Sequence, residues 1–239
     1  MADTFEDFLQ ARAPTPERPL LGQTVLVVED SRFASEAVRL LCLRSGARIR
    51  RADSLRAAAR HLCTYSPSIL IVDLGLPDGS GLDLIEELGA KTPRIPVMIA
   101  TSGEDGLAEA ALSRGADEFL AKPLVNIGQF QETILSHLSE DLRPKGLRMV
   151  PKDDVDPDHI AYRDDLAHVA ELLVEGGSAR VYDYASRFLS GVAKTAGDRA
   201  LMRAVADLDR RRASGEATAA AVAHLVGLIE DRLRRESLV

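Results

Sequence analysis

From residue 24 onward, two hydrophobic rhythms alternate along the chain. TVLVVED is a continuous apolar run ending in acids, the pattern of a strand buried on both faces. SRFASEAVRLLCLRSG follows at helical spacing and stops at a glycine. The alternation repeats as ARIRRA and SLRAAARHLCTY, SILIVDL and GSGLDLIEELGA, RIPVMIAT and EDGLAEAALSRG, then ADEFLAK and VNIGQFQETILSHLSEDL. Five strand–helix units of this size predict an α/β domain with a parallel sheet covered on both faces, spanning residues 22–142.

The rhythm then changes. RPKGLRMVPKDDVDP, rich in proline and charge, reads as a linker at 143–157. Four helical stretches follow, near 158–175, 178–194, 197–213 and 216–237, with breaks at Gly176-Gly177, near Gly197 and at Gly215. Leu166, Val169, Ala170, Leu173 and Val174 mark one apolar stripe, Leu201, Val205 and Leu208 a second, and Val222, Leu225, Val226 and Ile229 a third. Short connections between such helices predict an all-α antiparallel bundle over 158–239. At the other end, residues 1–21 read as a leader. Phe5, Phe8 and Leu9 form one short amphipathic turn there, before a stretch broken by three prolines.

Composition narrows the function classes. The formal charge is −7 over 239 residues, divided as −4 for residues 1–150 and −3 for 151–239, so neither half carries the basic excess that neutralises nucleic-acid phosphates. The Arg210–Arg212 run suits the end of a helix, where cations complement the dipole. No apolar run approaches the ~18 residues that span a bilayer. The acidic first residues lack a secretory signal pattern. Two cysteines, Cys42 and Cys63, exclude a disulfide framework and a Cys-rich zinc site. The expectation is a cytoplasmic protein with neither membrane nor nucleic acid as partner.

In a parallel sheet, ligands bind at the carboxyl ends of the strands. Those ends carry Glu29 and Asp30, Asp73, Thr101 and Lys122. Three converging carboxylates repel one another, and a hard divalent cation such as Mg²⁺ relieves that with oxygen ligands. Lysine adds a compact positive charge. The set describes an aspartyl-phosphate site, in which a carboxylate attacks a phosphoryl donor. Asp30 and Ser31 also suit the cap of the first helix, and that alternative stands for either of them alone.

The residues VVED at 27–30, ILIVDLGLPDGSGLDLI at 69–85, MIATSG at 98–103 and GADEFLAKP at 115–123 resemble the receiver domain of two-component response regulators. The resemblance implies a flavodoxin-like (βα)5 fold. It also implies that Asp73 accepts phosphate from a histidine kinase or phosphotransfer protein. Asp30 and Asp73 would ligate Mg²⁺ directly, with Glu29 through water and the Gly75 carbonyl completing the set. Lys122, before a usually cis bond to Pro123, would bind the phosphoryl group, and Thr101 and Phe119 would form the switch pair. This sequence departs from the commonest pattern in its Glu-Asp acidic pair and in Phe119, which lacks a phenol hydroxyl. Gly75 and Gly103 are a further departure, and they would leave the phosphate accessible on two sides.

The helical half has the rhythm of a histidine-phosphotransfer domain. Arg187, Ser190, Gly191 and Gly197 fall where such domains carry His-x-x-Lys-Gly and a later glycine, so the histidine and lysine are both replaced. The expected function is a response regulator that catalyses only its own phosphorylation and dephosphorylation. Its bundle would bind a kinase, another receiver or a second copy of itself. Two alternatives are a DNA-binding output and a phosphorelay transferase using one of the helical histidines, His159, His168 or His224.

Overall fold

The computed structural model describes residues 13–104, 106–175 and 179–235. The first half has the elements β1 (Thr24–Val28), α1 (Arg32–Ser45), β2 (Arg48–Ala52), α2 (Leu55–Leu62), β3 (Ile69–Asp73), a small hairpin of β4 (Gly75–Leu76) and β5 (Gly79–Ser80), and α3 (Gly81–Gly89). It continues through β6 (Val97–Ser102), α4 (Ala108–Ser113), β7 (Glu118–Ala121) and α5 (Ile127–His137). The sheet is parallel, as expected, and its strands run in the order β2-β1-β3-β6-β7.

Alternation along the central strands sends side chains to opposite faces. Val25, Val27, Ile69, Ile71, Val97 and Ile99 pack with Leu41 of α1 and Phe130 and Ile134 of α5. Leu26, Leu70, Val72, Met98 and Ala100 pack with Ala58, Ile85 and Leu88 of α2 and α3. Helices begin where a short polar side chain meets free backbone N–H groups: Ser31, Ser54, Ser80 and Asn126 each accept such a bond. Helix α1 ends at Gly46, whose φ of 86° favours glycine.

Among the described residues, the second half forms the helices α6 (His159–Glu175), α7 (Ala179–Thr195), α8 (Arg199–Ser214) and α9 (Ala219–Arg235). Leu166, Val169, Leu189, Val192, Leu201, Leu208, Leu225 and Ile229 form their core. Phe33, from α1 of the sheet domain, completes that core, its ring 5.3 Å from that of Tyr162. The stripe expected on α6 is corrected at one position: Val174 is 72% exposed. It lies eight residues from Leu166, about 80° round the helix, at the edge of the buried face.

Asp198 clasps three helices. It caps α8 by accepting from Ala200 N and Leu201 N, pairs with Arg232 of α9 at 2.6 Å, and accepts from Tyr162 Oη of α6 at 3.1 Å. Burial works against its charge, but Arg232 and the helix N–H groups outweigh that and pull its pKa from 3.8 to about 2. The resulting stability is present above pH ~4 and is lost as pH falls toward 2. Asp198→Ala is expected to cost about 2–3 kcal/mol. A urea midpoint unchanged from the parent chain would contradict that clasp.

The flanking stretches are partly folded in. Residues 1–12, with the amphipathic turn expected at Phe5, Phe8 and Leu9, lie outside the described residues. Leu20, within the expected leader, is fully buried in the sheet-domain core, and its N–H donates to Ser45 O at 2.9 Å. In the expected linker, Leu147 and Met149 are exposed, whereas Val155 is buried and donates to Val125 O at 2.8 Å. Ile127 N in turn donates to Asp153 O at 3.1 Å, so the later part of the linker is stitched to the sheet domain. Among the described residues no helix is long and apolar enough to cross a membrane.

Candidate phosphoacceptor site

The sheet brings Glu29, Asp30, Asp73 and Lys122 into the lining of one pocket and sets Thr101 beside Asp73 on the next strand, its hydroxyl buried. The β1 ladder continues through Glu29, whose N–H donates to Ala52 O at 2.9 Å, and β3 and β6 set Asp73 opposite Thr101 in register. Carboxylate oxygens of Glu29, Asp30 and Asp73 all lie within 4.8 Å of one another. Lys122 reaches over from the end of β7, 2.7 Å from Glu29 Oε2 and 3.1 Å from Asp73 Oδ2. Its bond to Pro123 is cis. Gly75, just beyond Asp73, lines the same cavity. Phe119, the other half of the expected switch pair, is half-buried against the α3–α4 side of the sheet and pairs in register with Ala100.

So much buried charge shifts the titrations. Burial pushes Glu29 up to about 8; Lys122 opposes this, and Asp73 and Asp30 add to it. Burial followed by the Asp73 charge pushes Asp30 up to about 7. Burial disfavours the Lys122 ammonium, but Asp73 and Glu29 more than compensate and raise its pKa, so it stays charged. Three oxygen donors around one lysine suit a hard cation, which would displace protons from the two raised carboxyls. Thr101 Oγ1 is buried and has no hydrogen-bond partner among the described residues, an unusual state for a hydroxyl, and one that an acceptor oxygen placed beside it would relieve.

The helical half supplies residues that sequence reasoning did not place here. Tyr184 Oη of α7 donates to Asp30 Oδ2 at 2.7 Å. Asp165 of α6 caps α1 from outside: it accepts from Ser31 Oγ at 2.7 Å, Arg32 N at 2.9 Å and Phe33 N at 3.0 Å. Arg187 pairs with Glu104 at 3.2 Å and lines the cavity with Phe188 and Gly191. Ser190 contributes backbone beside Gly103, and Gly197, at φ 66°, follows the end of α7.

The expected accessibility at Gly75 and Gly103 is therefore corrected. A Cβ on Gly75 would stand 3.8 Å from Arg187 Cδ, and one on Gly103 would stand 3.0 Å from Gly191 Cα. Both positions thus face α7 rather than open solvent, and at Gly103 the missing side chain is what lets α7 come so close. His159, His168 and His224 are absent from the lining of the cavity over Asp73; His168 packs edge-on against Phe188, with ring centroids 6.0 Å apart, and lines the neighbouring cleft that reaches Glu29 and Asp30.

Comparison with known proteins agrees with this geometry for the first half. The KDP operon transcriptional regulatory protein KdpE of Escherichia coli is 34% identical over 107 residues, 45% of this chain and 47% of that protein. The virulence transcriptional regulatory protein PhoP of Salmonella typhimurium is 37% identical over 100 residues, 41% of this chain and 45% of that protein. The chain thus spans about half the length of these curated relatives. Among solved structures, the receiver domain of a DNA binding response regulator from Colwellia psychrerythraea is 26% identical. It covers 47% of this chain and 94% of its own, with a TM-score of 0.42. Residues 25–134 match the response regulator receiver domain family, and with Asp73, Thr101 and Lys122 gathered at its strand ends that segment is a receiver domain of the two-component type.

Proposed function

We propose that Asp73 is the phosphoacceptor of a response regulator whose helical half is its output. The observation that carries this is the placement of Asp73 between the Lys122 ammonium at 3.1 Å and the unpartnered Thr101 hydroxyl opposite it in β6. An Asp73 carboxylate oxygen attacks the phosphorus of a phosphorylated histidine on a kinase or phosphotransfer protein. A P–O bond forms as the P–N bond breaks, and the electron pair leaves on an imidazole already protonated at its other nitrogen. Asp30, Asp73 and the Gly75 carbonyl would hold Mg²⁺, with Glu29 acting through water. When bound, the ion neutralises charge on the phosphoryl oxygens. Lys122 and Thr101 then bind those oxygens, and the movement of Thr101 draws Phe119 inward. Hydrolysis by water returns the carboxylate and inorganic phosphate, so the chain acts on no substrate but itself. The free thiols Cys42 and Cys63 support a cytoplasmic setting.

Incorporation of labelled phosphate from phosphoramidate with Mg²⁺ tests the assignment. The parent chain should take up close to one equivalent, and Asp73→Asn and Asp73→Ala none. Stoichiometric labelling of both variants would remove Asp73 from the role.

The relatives' names favour one second reading, transcriptional control through DNA. Against it stand the charge of −3 on residues 151–239 and the use of α7, which packs on the receiver. Salt-dependent retention of the full chain on duplex DNA would support that reading over protein binding.

A further inference from the structure

The helical half does more than lie beside the receiver. Tyr184, Arg187, Gly191 and Lys194 recur at three- and four-residue intervals and so share one face of α7. Each meets the rim of the Asp73 pocket: Tyr184 at Asp30, Arg187 at Gly75 and Glu104, Gly191 at Gly103 and Lys122, and the Lys194 ammonium at the Gly103 carbonyl. The fit depends on having no side chain at Gly103, where a Cβ would stand 3.0 Å from Gly191 Cα and 3.2 Å from its N. A Cβ on Gly191 would only touch Lys122, 3.6 Å from its Cδ, but a longer side chain there would enter the same contact.

What remains over Asp73 is a cavity of about 20 Å³. That is room for about one water. It does not hold a phosphoryl group, with three acceptor oxygens and a charge of about −1.5 to −2. Nor does it admit a donor, whose phosphorus must approach within ~3–3.5 Å of the attacking oxygen. A separate cleft of about 1160 Å³ between α2 and helices α6 and α7 reaches Glu29, Asp30 and Ser31, but its lining does not include Asp73 or Lys122. Ions therefore have a way to the acidic pair while the phosphoacceptor is covered.

We propose that α7 occupies the face of the receiver through which the phosphodonor must approach, so that the helical half and the donor exclude each other. This rests on Asp73 being the phosphoacceptor. Arg187 lies on the donor's path, and its positive charge suits an acidic rim. The aspartyl-phosphate, once formed, fills the space that α7 needs and holds the helical half away, leaving the Tyr184–Lys194 face free. Phosphorylation thus releases the bundle rather than sealing it, and the released face is one shaped for the acidic pocket of a receiver.

The full chain with Gly103→Leu or Gly191→Leu tests this, because each wedge acts at the contact from a different domain. Labelling from phosphoramidate with Mg²⁺ is measured alongside the radius of gyration by small-angle scattering. Both variants should be more extended than the parent and should label at least about tenfold faster, as when a competent state rises from a minor to the major population. Extended variants that label at the parent rate would overturn the exclusion. So would a parent already extended, or wedges accommodated with no change in dimensions. Absence of label in all three chains despite opening would instead overturn the assignment of Asp73, and the exclusion with it.

Discussion

Lys122→Met is expected to cost the metal-free protein about 3–5 kcal/mol at pH 8.5, because it strands buried carboxylates without their cation. The Lys122 side chain is 6% exposed and that of Glu29 3%, so little solvent screens the loss. Glu29 and Asp73, which lie 2.7 Å and 3.1 Å from the Lys122 ammonium, would then face each other and Asp30 within 4.8 Å and with no compensating charge. At pH 6 the cost should shrink, since Glu29, raised to about 8, is already protonated there and leaves less charge uncompensated. Mg²⁺ should restore part of the loss by supplying charge to the same oxygens, while phosphate uptake stays impaired for want of the ammonium. Urea unfolding in chelator and in Mg²⁺, at both pH values, measures each part. A variant as stable as the parent in chelator at pH 8.5 would show that Lys122 does not neutralise the cluster.

The second large effect is a fall in metal-free stability as pH rises. Glu29 and Asp30 hold protons in the native state up to about 8 and about 7, first through burial and then through neighbouring carboxylates. In the unfolded chain they lose them near 4. Between those limits the native state binds more protons, so the stabilisation they provide is complete below pH ~4 and is lost as pH climbs through 7 and 8. Each group sets a slope of up to about 1.4 kcal/mol per pH unit within its window. A bound cation displaces those protons, so the stabilisation by Mg²⁺ should grow with pH and level off above about 8. Thermal midpoints from pH 5.5 to 9, with chelator and with Mg²⁺, give the comparison. A metal increment constant over that range would contradict protonation of the pair.

The receiver was legible because its chemistry is tied to a period. Once the strands are read, their carboxyl ends follow, and Glu29, Asp30, Asp73, Thr101 and Lys122 converge without further assumption. The helices were legible from apolar spacing and from the breaks at Gly197 and Gly215, apart from Val174 at the edge of its stripe; the break expected at Gly176-Gly177 lies outside the described residues. What could not be read was the meeting of the halves. Ser31 and Asp165 are 134 residues apart, and Asp30 and Tyr184 are 154 apart, and no periodicity links such pairs. Gly75 and Gly103 were visible as departures, but a missing side chain looks the same in sequence whether solvent or a helix fills the gap.

The stitching of the linker has a kinetic and thermodynamic consequence for the covered site. Since Val155 is anchored to the sheet domain and α6 begins at His159, only residues 156–158 are left as tether between them. Three residues reach about 10 Å, so an undocked bundle stays beside its own receiver. Its effective concentration there is of millimolar order, far above that of a diffusing donor. A contact with an intrinsic dissociation constant of about 0.1 mM would then be about 90% closed. The threshold for response is accordingly set as much by tether length as by the contact itself, and inserting flexible residues after Val155 would lower it without altering a single interfacial side chain.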